Sequence, residues 1–240
     1  MSRVTFLGTG DYLTLERYWN GFVLDGQILV EPSPTALPHL RRCGLQASDL
    51  QAVFVSHFHA DHTFGWPFLL LELIRSRRRT PISVVGPPGV QRRLAEMLEV
   101  GAVQSVGEMA DAQLDVRYVE VDGTWQTAGP IRFRAVQVDH VPYLDCFGFL
   151  FDLGGRTVAY SGDVRPCGGL DTLAENCDVL ILECNGPHPP PQTHMDVDDV
   201  VVLRERFPDP RFILTHLGAG LNDRDIPNCT VPGDFETLTI

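Results

Sequence analysis

Short unbroken apolar runs, not long helical stripes, dominate the hydrophobic pattern of this chain. Val4 to Leu7 predicts a strand followed by a Gly8-Thr9-Gly10 turn. Gly21 to Leu24 and Gln27 to Val30, split by Asp25-Gly26, predict a hairpin. Val53 to Val55, Ile82 to Val85, Thr157 to Tyr160, Val179 to Leu182 and Phe212 to Leu214 are continuous apolar runs, the signature of strands covered on both faces. Leu114 to Val138 also reads as strands, with turns at Asp122-Gly123 and Gly129-Pro130, and Gly154-Gly155 marks a hairpin turn before Thr157. Helical segments lie between these runs. Leu37 to Cys43 predicts a short helix ended by Gly44. Phe64, Phe68, Leu69, Leu71, Leu73 and Ile74, with Pro67 near the start, predict a mostly buried helix, and Gly89 to Val100 another. A last helix carries Asp198 and Asp199 in its first turn and Arg204 and Arg206 in its last, and stops before Pro208. Strands alternating with helices define a layered α/β chain.

Three of the apolar runs share one feature. Each hands a small hydroxyl residue and then a metal-competent side chain to its carboxyl end: Ser56-His57, Ser161-Gly162-Asp163 and Thr215-His216. Sites in layered α/β folds gather at the carboxyl ends of strands, so His57, Asp163 and His216 are expected to converge. The first of these ends is the densest. In VFVSHFHADH, the residues His57, His59, Asp61 and His62 fall within six positions. Neutral imidazole suits zinc, iron and related ions, and a neighbouring carboxylate can take a second ion or orient a water. The i, i+2 spacing of His57 and His59 lets both reach one ion from an extended loop, with Asp61 and His62 a step further along. One loop can therefore serve two metals, and the strand region ending at Val138 delivers another imidazole, His140.

Composition narrows the partners. The 240 residues carry 19 Lys and Arg against 31 Asp and Glu, a formal net charge of -12 that repels a phosphate backbone, so a long nucleic acid is disfavoured as a partner. The length suits a single domain spanning residues 1-240. No apolar run approaches the roughly 20 residues that span a bilayer, and MSRVTFLGTG lacks the layout of a secretory signal. Six cysteines (Cys43, Cys146, Cys167, Cys177, Cys184, Cys229) without CxxC spacing read as reduced thiols in a cytoplasmic protein. The basic run Arg75, Arg77, Arg78, Arg79 reads as a solvated helix end complementing the macrodipole, and His39 as a surface residue.

The motif HxHxDH, as His57-Phe58-His59-Ala60-Asp61-His62, resembles the signature of the metallo-β-lactamase superfamily. The stretches Gly65-Trp66-Pro67-Phe68-Leu69-Leu70, Asp139-His140-Val141-Pro142 leading to Phe147-Gly148, Ser161-Gly162-Asp163-Val164-Arg165-Pro166-Cys167 and Thr215-His216 are similar to the ribonuclease Z-like branch, in the family's order. That resemblance implies an αββα sandwich of two mixed sheets flanked by helices, with a dinuclear site at its edge. It implies that His57, His59 and His140 hold one divalent ion, that Asp61, His62 and His216 hold a second, and that Asp163 bridges them. Zinc is the expected metal, with manganese or iron as alternatives. A histidine before the last helix acts at the leaving oxygen in this branch, and His194 occupies the corresponding place, with His188 in the same proline-rich loop (Pro187, Pro189, Pro190, Pro191) able to substitute. A carboxylate near a metal often orients a ligand histidine, a role open to Glu183. The resemblance further implies a homodimer.

The departures shape the expected function. His140 and Asp163 are 23 positions apart, room for one hairpin and not for the arm that grips transfer RNA in ribonuclease Z. The branch's acidic residue and glycine stand here as Glu31-Pro32-Ser33, and its proline-basic-Arg-Asn segment survives only as Glu16-Arg17-Tyr18-Trp19-Asn20. Both changes bear on substrate contacts more than on metal binding. The expected activity is a dinuclear metal-dependent phosphodiesterase acting on a small-molecule diester through a metal-bridging hydroxide, which Asp61 helps to position. Hydrolysis of a lactone, ester or thioester on the same site and 3′ processing of transfer RNA are the alternatives.

Overall fold

The computed structural model describes residues 1–186, 193–221 and 226–240. Among these residues the strands form two seven-stranded sheets. The first places β1 (Arg3–Gly8), β2 (Gly21–Leu24), β3 (Ile28–Val30), β4 (Ala52–Phe54), β5 (Ile82–Gly86) and β6 (Val116–Glu120) side by side in chain order. The second does the same with β7 (Trp125–Ala128), β8 (Ile131–Val138), β9 (Cys146–Asp152), β10 (Thr157–Tyr160), β11 (Val179–Glu183), β12 (Arg211–Thr215) and β13 (Cys229–Thr230). The C-terminal strand β14 (Thr237–Thr239) returns to pair antiparallel with β1.

Each sheet begins antiparallel, where short hairpins suffice, and becomes parallel where helices supply the crossovers. Parallel pairing runs β3-β4-β5-β6 in one sheet and β10-β11-β12-β13 in the other. Helices α1 (Ala36–Arg42), α2 (Ala60–Thr63), α3 (Trp66–Arg75), α4 (Val90–Val100) and α5 (Gln104–Gln113) belong to the first sheet's crossovers. Helices α6 (Gly168–Glu175) and α7 (Val197–Arg206) belong to the second's.

The unbroken apolar runs follow from this layering, because alternate residues of one strand serve two different cores. In β4, Ala52 and Phe54 face the opposite sheet while Val53 faces the helices. Phe54 sits edge-on to Phe133, Phe149 and Phe151 at centroid distances of 4.9, 5.2 and 4.9 Å, which locks the two sheets face to face. A second core joins the outer face of the first sheet to α1, α3, α4 and α5, and a third joins the second sheet to α6 and α7. The result is the expected αββα sandwich of two mixed sheets.

Several local expectations change. The helix expected after His62 is α3, which starts just after Gly65, where a Cβ would collide with the Ser33 carbonyl oxygen; a separate short helix, α2, precedes it and carries Asp61 and His62. Its buried face is Trp66, Leu69, Leu70, Leu73 and Ile74, whereas Phe64, Phe68 and Leu71 stand in solvent. Helix α5 escapes the hydrophobic pattern because only Val106 and Ala110 of its ten residues are buried. Arg78 is no solvated helix end. It is buried and donates to the carbonyl oxygens of Ser48, Thr80 and Pro81 at 2.7, 2.7 and 2.8 Å, tying the end of α3 to the entry of β5. His39 is likewise buried, edge-on to Tyr18 and Phe235. The acidic start of α7 is a reciprocal cap, in which Asp196 accepts from the Asp199 backbone and Asp199 from the Asp196 backbone.

Candidate metal centre

Parallel strands lay their carboxyl ends along one edge, and the expected residues meet there. His57 and His59 follow β4, His140 follows β8, Asp163 follows β10 and His216 follows β12. Donor atoms of His57, His59, His140 and Asp163 lie within 4.8 Å of one another, and so do those of Asp61, His62 and His216. Asp163 joins the two sets. Its Oδ2 is 3.7 Å from His57 Nε2 and 3.8 Å from His140 Nε2, while its Oδ1 is 3.4 Å from His62 Nε2 and 3.5 Å from His216 Nε2. Asp61 Oδ2 lies 3.2 Å from His62 Nε2 and 3.5 Å from His216 Nε2.

Partners behind the imidazoles aim them. His140 Nδ1 donates to the Thr193 carbonyl oxygen at 2.7 Å, so that nitrogen carries the proton and the Nε2 lone pair faces the cluster. His57 Nδ1 meets Ser56 Oγ at 2.9 Å, again turning Nε2 inward. Glu31 and Glu183 stand behind the other set, with Glu31 Oε2 3.6 Å from His62 Nδ1 and Glu183 Oε2 3.6 Å from His216 Nδ1. Glu183 is fixed in turn by the Val164 backbone N–H. It also accepts from His194 Nδ1 at 2.8 Å, the expected orienting role extended to a second histidine. His194 stacks on His216 with centroids 5.5 Å apart, and its donor atoms group with those of Asp163 and His216. His188 and its neighbouring prolines lie outside the described residues.

Glu31, a residue the sequence does not mark as part of a metal site, obeys the same rule as His57: it follows a buried strand, β3, that runs parallel to β4. Its φ of 60° and the 49° of His216 are left-handed values for side chains that rarely adopt them, and such strain concentrates at functional sites. Tyr143 carried no sequence signal, being an exposed loop residue whose hydroxyl comes 3.4 Å from His59 Nε2. Conversely, Arg17 and Asn20 are already engaged. Arg17 donates to Thr9 Oγ1 and to the Pro232 carbonyl, and Asn20 bonds Tyr160 and Thr215.

The electrostatics call for cations. Burial holds the His57 imidazole well below its usual range, with His62 adding to the effect. Burial would also lower His62 and His216, but it is outweighed by Asp163 and Asp61, and by Glu31 beside His62 and Glu183 beside His216, which push both well above the usual range. Burial opposes ionisation of Asp61 and Asp163, yet the facing imidazoles, His62 first for Asp61 and His216 first for Asp163, hold both carboxyls below the usual carboxylate range. Four carboxylates, Glu31, Asp61, Asp163 and Glu183, thus enclose a nearly dry space. Within it, His62 and His216 each have both ring nitrogens without a hydrogen-bond partner, and Asp163 Oδ1 has none. Buried nitrogen and oxygen donors left bare and turned toward one another fit a metal site.

The two-sheet sandwich with histidine and aspartate donors at one edge defines a metallo-β-lactamase-fold hydrolase. The chain belongs to the beta-lactamase superfamily, whose family model (beta-lactamase superfamily domain) matches residues 27–217. A ribonuclease Z of Methanosarcina mazei is 26% identical over 274 residues, covering 93% of this chain and 90% of that protein. The human short-form tRNase Z structure superposes with a TM-score of 0.76 at 23% identity, covering 99% of both chains. A diphosphatase of the PhnP family superposes with a TM-score of 0.79 at 19% identity, covering 100% of this chain and 98% of that one. No helix among the described residues is long and apolar enough to cross a membrane.

Proposed function

We propose that residues 1-240 form one dinuclear, metal-dependent phosphodiesterase domain acting on a small phosphodiester. One observation carries this reading: Asp163 presents one carboxylate oxygen to His57 and His140 and the other to His62 and His216. His57, His59 and His140 would hold one ion and Asp61, His62 and His216 the other, with Asp163 between them and zinc, manganese or iron as the metal. Such ions would supply Lewis acidity, lowering the pKa of an attacking water and drawing charge from the phosphoryl oxygens.

The chain's own groups do the rest. Asp61 is the more exposed of the two aspartates, and it holds the attacking water by accepting its hydrogen bond at the mouth of the site. His194, clamped through Nδ1 by Glu183, keeps its other nitrogen for the departing oxygen, to which it gives a proton. A small substrate is supported by three features. Between His140 and Asp163 lie only a five-residue loop, β9, a tight turn and β10, leaving no room for an arm; Arg17 and Asn20 are committed to internal contacts; and the net charge is -12.

The test is a metal-loaded preparation, with zinc or manganese, assayed on bis(p-nitrophenyl) phosphate. Turnover should exceed that of an Asp163→Ala variant by at least a thousandfold, and equality would refute the reading. A second reading is favoured by the relatives named ribonuclease Z, and it predicts cleavage of a precursor transfer RNA 3′ end. A lactone and thioester panel on the same preparation checks hydrolysis at carbon.

A further inference from the structure

The two donor sets that Asp163 joins differ in charge, and the outer nitrogens of their imidazoles show it. His59 turns Nδ1 inward, 2.9 Å from His57 Nε2 and 3.4 Å from His140 Nε2, so its outer atom is Nε2. In this first set the outer partners are neutral: the Ser56 hydroxyl 2.9 Å from His57 Nδ1, the Thr193 carbonyl oxygen 2.7 Å from His140 Nδ1, and the Tyr143 hydroxyl 3.4 Å from His59 Nε2. In the second set they are carboxylates, with Glu31 Oε2 3.6 Å from His62 Nδ1 and Glu183 Oε2 3.6 Å from His216 Nδ1. Both glutamates are fully buried. Each is also anchored, Glu31 by the Ser56 backbone N–H at 3.3 and 3.4 Å and Glu183 by the Val164 backbone N–H, so neither swings across to the first set. Asp61 adds a further charge on the second side, with Oδ2 3.2 Å from His62 Nε2 and 3.5 Å from His216 Nε2. A cation held by Asp61, His62 and His216 thus meets two carboxylates as donors and two more behind its histidines. Among the described residues, the donors grouped with His57, His59 and His140 include one carboxylate, Asp163. A carboxylate behind an imidazole orients it and raises its basicity, and charge counts for most where water is excluded.

We infer that the centre loads in a fixed order: the Asp61–His62–His216 position fills first and keeps its ion, and the His57–His59–His140 position takes an exchangeable ion whose arrival switches the enzyme on. The inference rests on the dinuclear reading and names free divalent metal as the regulator of that site. One outer partner is worth roughly 10- to 100-fold in metal affinity. Two carboxylates set against neutral partners, taken at the low end, separate the two dissociation constants by at least about a hundredfold. Free metal between those constants leaves the protein singly loaded and inactive.

The test titrates chelator-treated protein with zinc against a chelating dye and follows the eight histidines by nitrogen-15 NMR. Two binding steps at least about a hundredfold apart are expected. The first equivalent shifts the imidazole nitrogens of His62 and His216, and the second those of His57, His59 and His140. Glu31→Gln weakens the first step by about 10- to 100-fold and narrows the gap, whereas Tyr143→Phe, which removes a neutral partner, acts on the second step and widens it. Hydrolysis of bis(p-nitrophenyl) phosphate rises with the second equivalent and not with the first. Two equal constants, or a first equivalent that shifts His57, His59 and His140, overturn the inference, and so does a gap that Glu31→Gln leaves unchanged. If that variant does not fold, the order of the shifts in the unaltered protein decides. One ion bound at every zinc concentration refutes the dinuclear reading and takes the inference with it. Two unequal steps in the stated order, with no hydrolysis by the doubly loaded protein, refute the phosphodiesterase reading and leave the loading order standing.

Discussion

Replacing Asp163 by Asn is the sharpest perturbation of the proposed centre. The substitution keeps the side chain's shape and removes the charge that faces four imidazole nitrogens at 3.4 to 3.8 Å. Removing a group that merely backs a ligand costs roughly 10- to 100-fold in metal affinity. Asp163 is proposed as a direct donor to both ions, so 100-fold is a lower bound for its loss. At saturating metal, binding to the folded state alone converts 100-fold into about 2.7 kcal/mol of stability. For a chain of this size each kcal/mol moves the melting temperature by about 2–4 °C. The rise in Tm on adding zinc to chelator-treated protein should therefore be smaller in Asp163→Asn by at least about 5 °C. Scanning calorimetry with a parallel elemental count of bound metal measures both quantities. Asp115→Asn, which removes an exposed carboxylate paired with Arg117, should keep the full rise. An equal metal-induced rise in wild type and Asp163→Asn would refute the bridging role.

Further outcomes follow from individual contacts. His194→Ala should lower kcat by about 10²- to 10⁴-fold with bound metal unchanged by elemental analysis. Loss of metal instead would make His194 a ligand. Glu183→Gln keeps the size of a side chain that backs both His194 and His216, and should lower metal affinity by roughly 10- to 100-fold in a competition titration with a chelating dye. Phe54→Ala opens a cavity where three aromatic rings meet and should cost about 3–5 kcal/mol in urea unfolding. A cost under about 1 kcal/mol would contradict the packing of the two sheets. Arg78→Met strips three carbonyl oxygens of a charged donor and should cost roughly 2–4 kcal/mol while sparing activity.

The sequence by itself carried what is local or periodic. Strands buried on both faces must be apolar throughout, so β4, β5, β10, β11 and β12 could be read within a residue or two of their bounds. Helices α5 and α6 were not read, because helical stripes of few buried residues do not rise above loop composition. The metal-type residues stood out for the same local reason, a dense HxHxDH loop and polar side chains at the ends of apolar runs. Only the tertiary structure decided which groups stand behind them. Glu31, 26 residues before His57, comes to His62 because β3 pairs with β4 and its backbone turns left-handed. Tyr143 comes to His59 through a loop with no periodicity. Arg78 looked like one more surface cation until three carbonyl groups, one of them 30 residues earlier, closed around it. A side chain's type is written in the chain, but its electrostatic environment is a sum over groups brought near by folding. In a space this dry, that sum sets which atoms are protonated, which are bare and where a cation belongs.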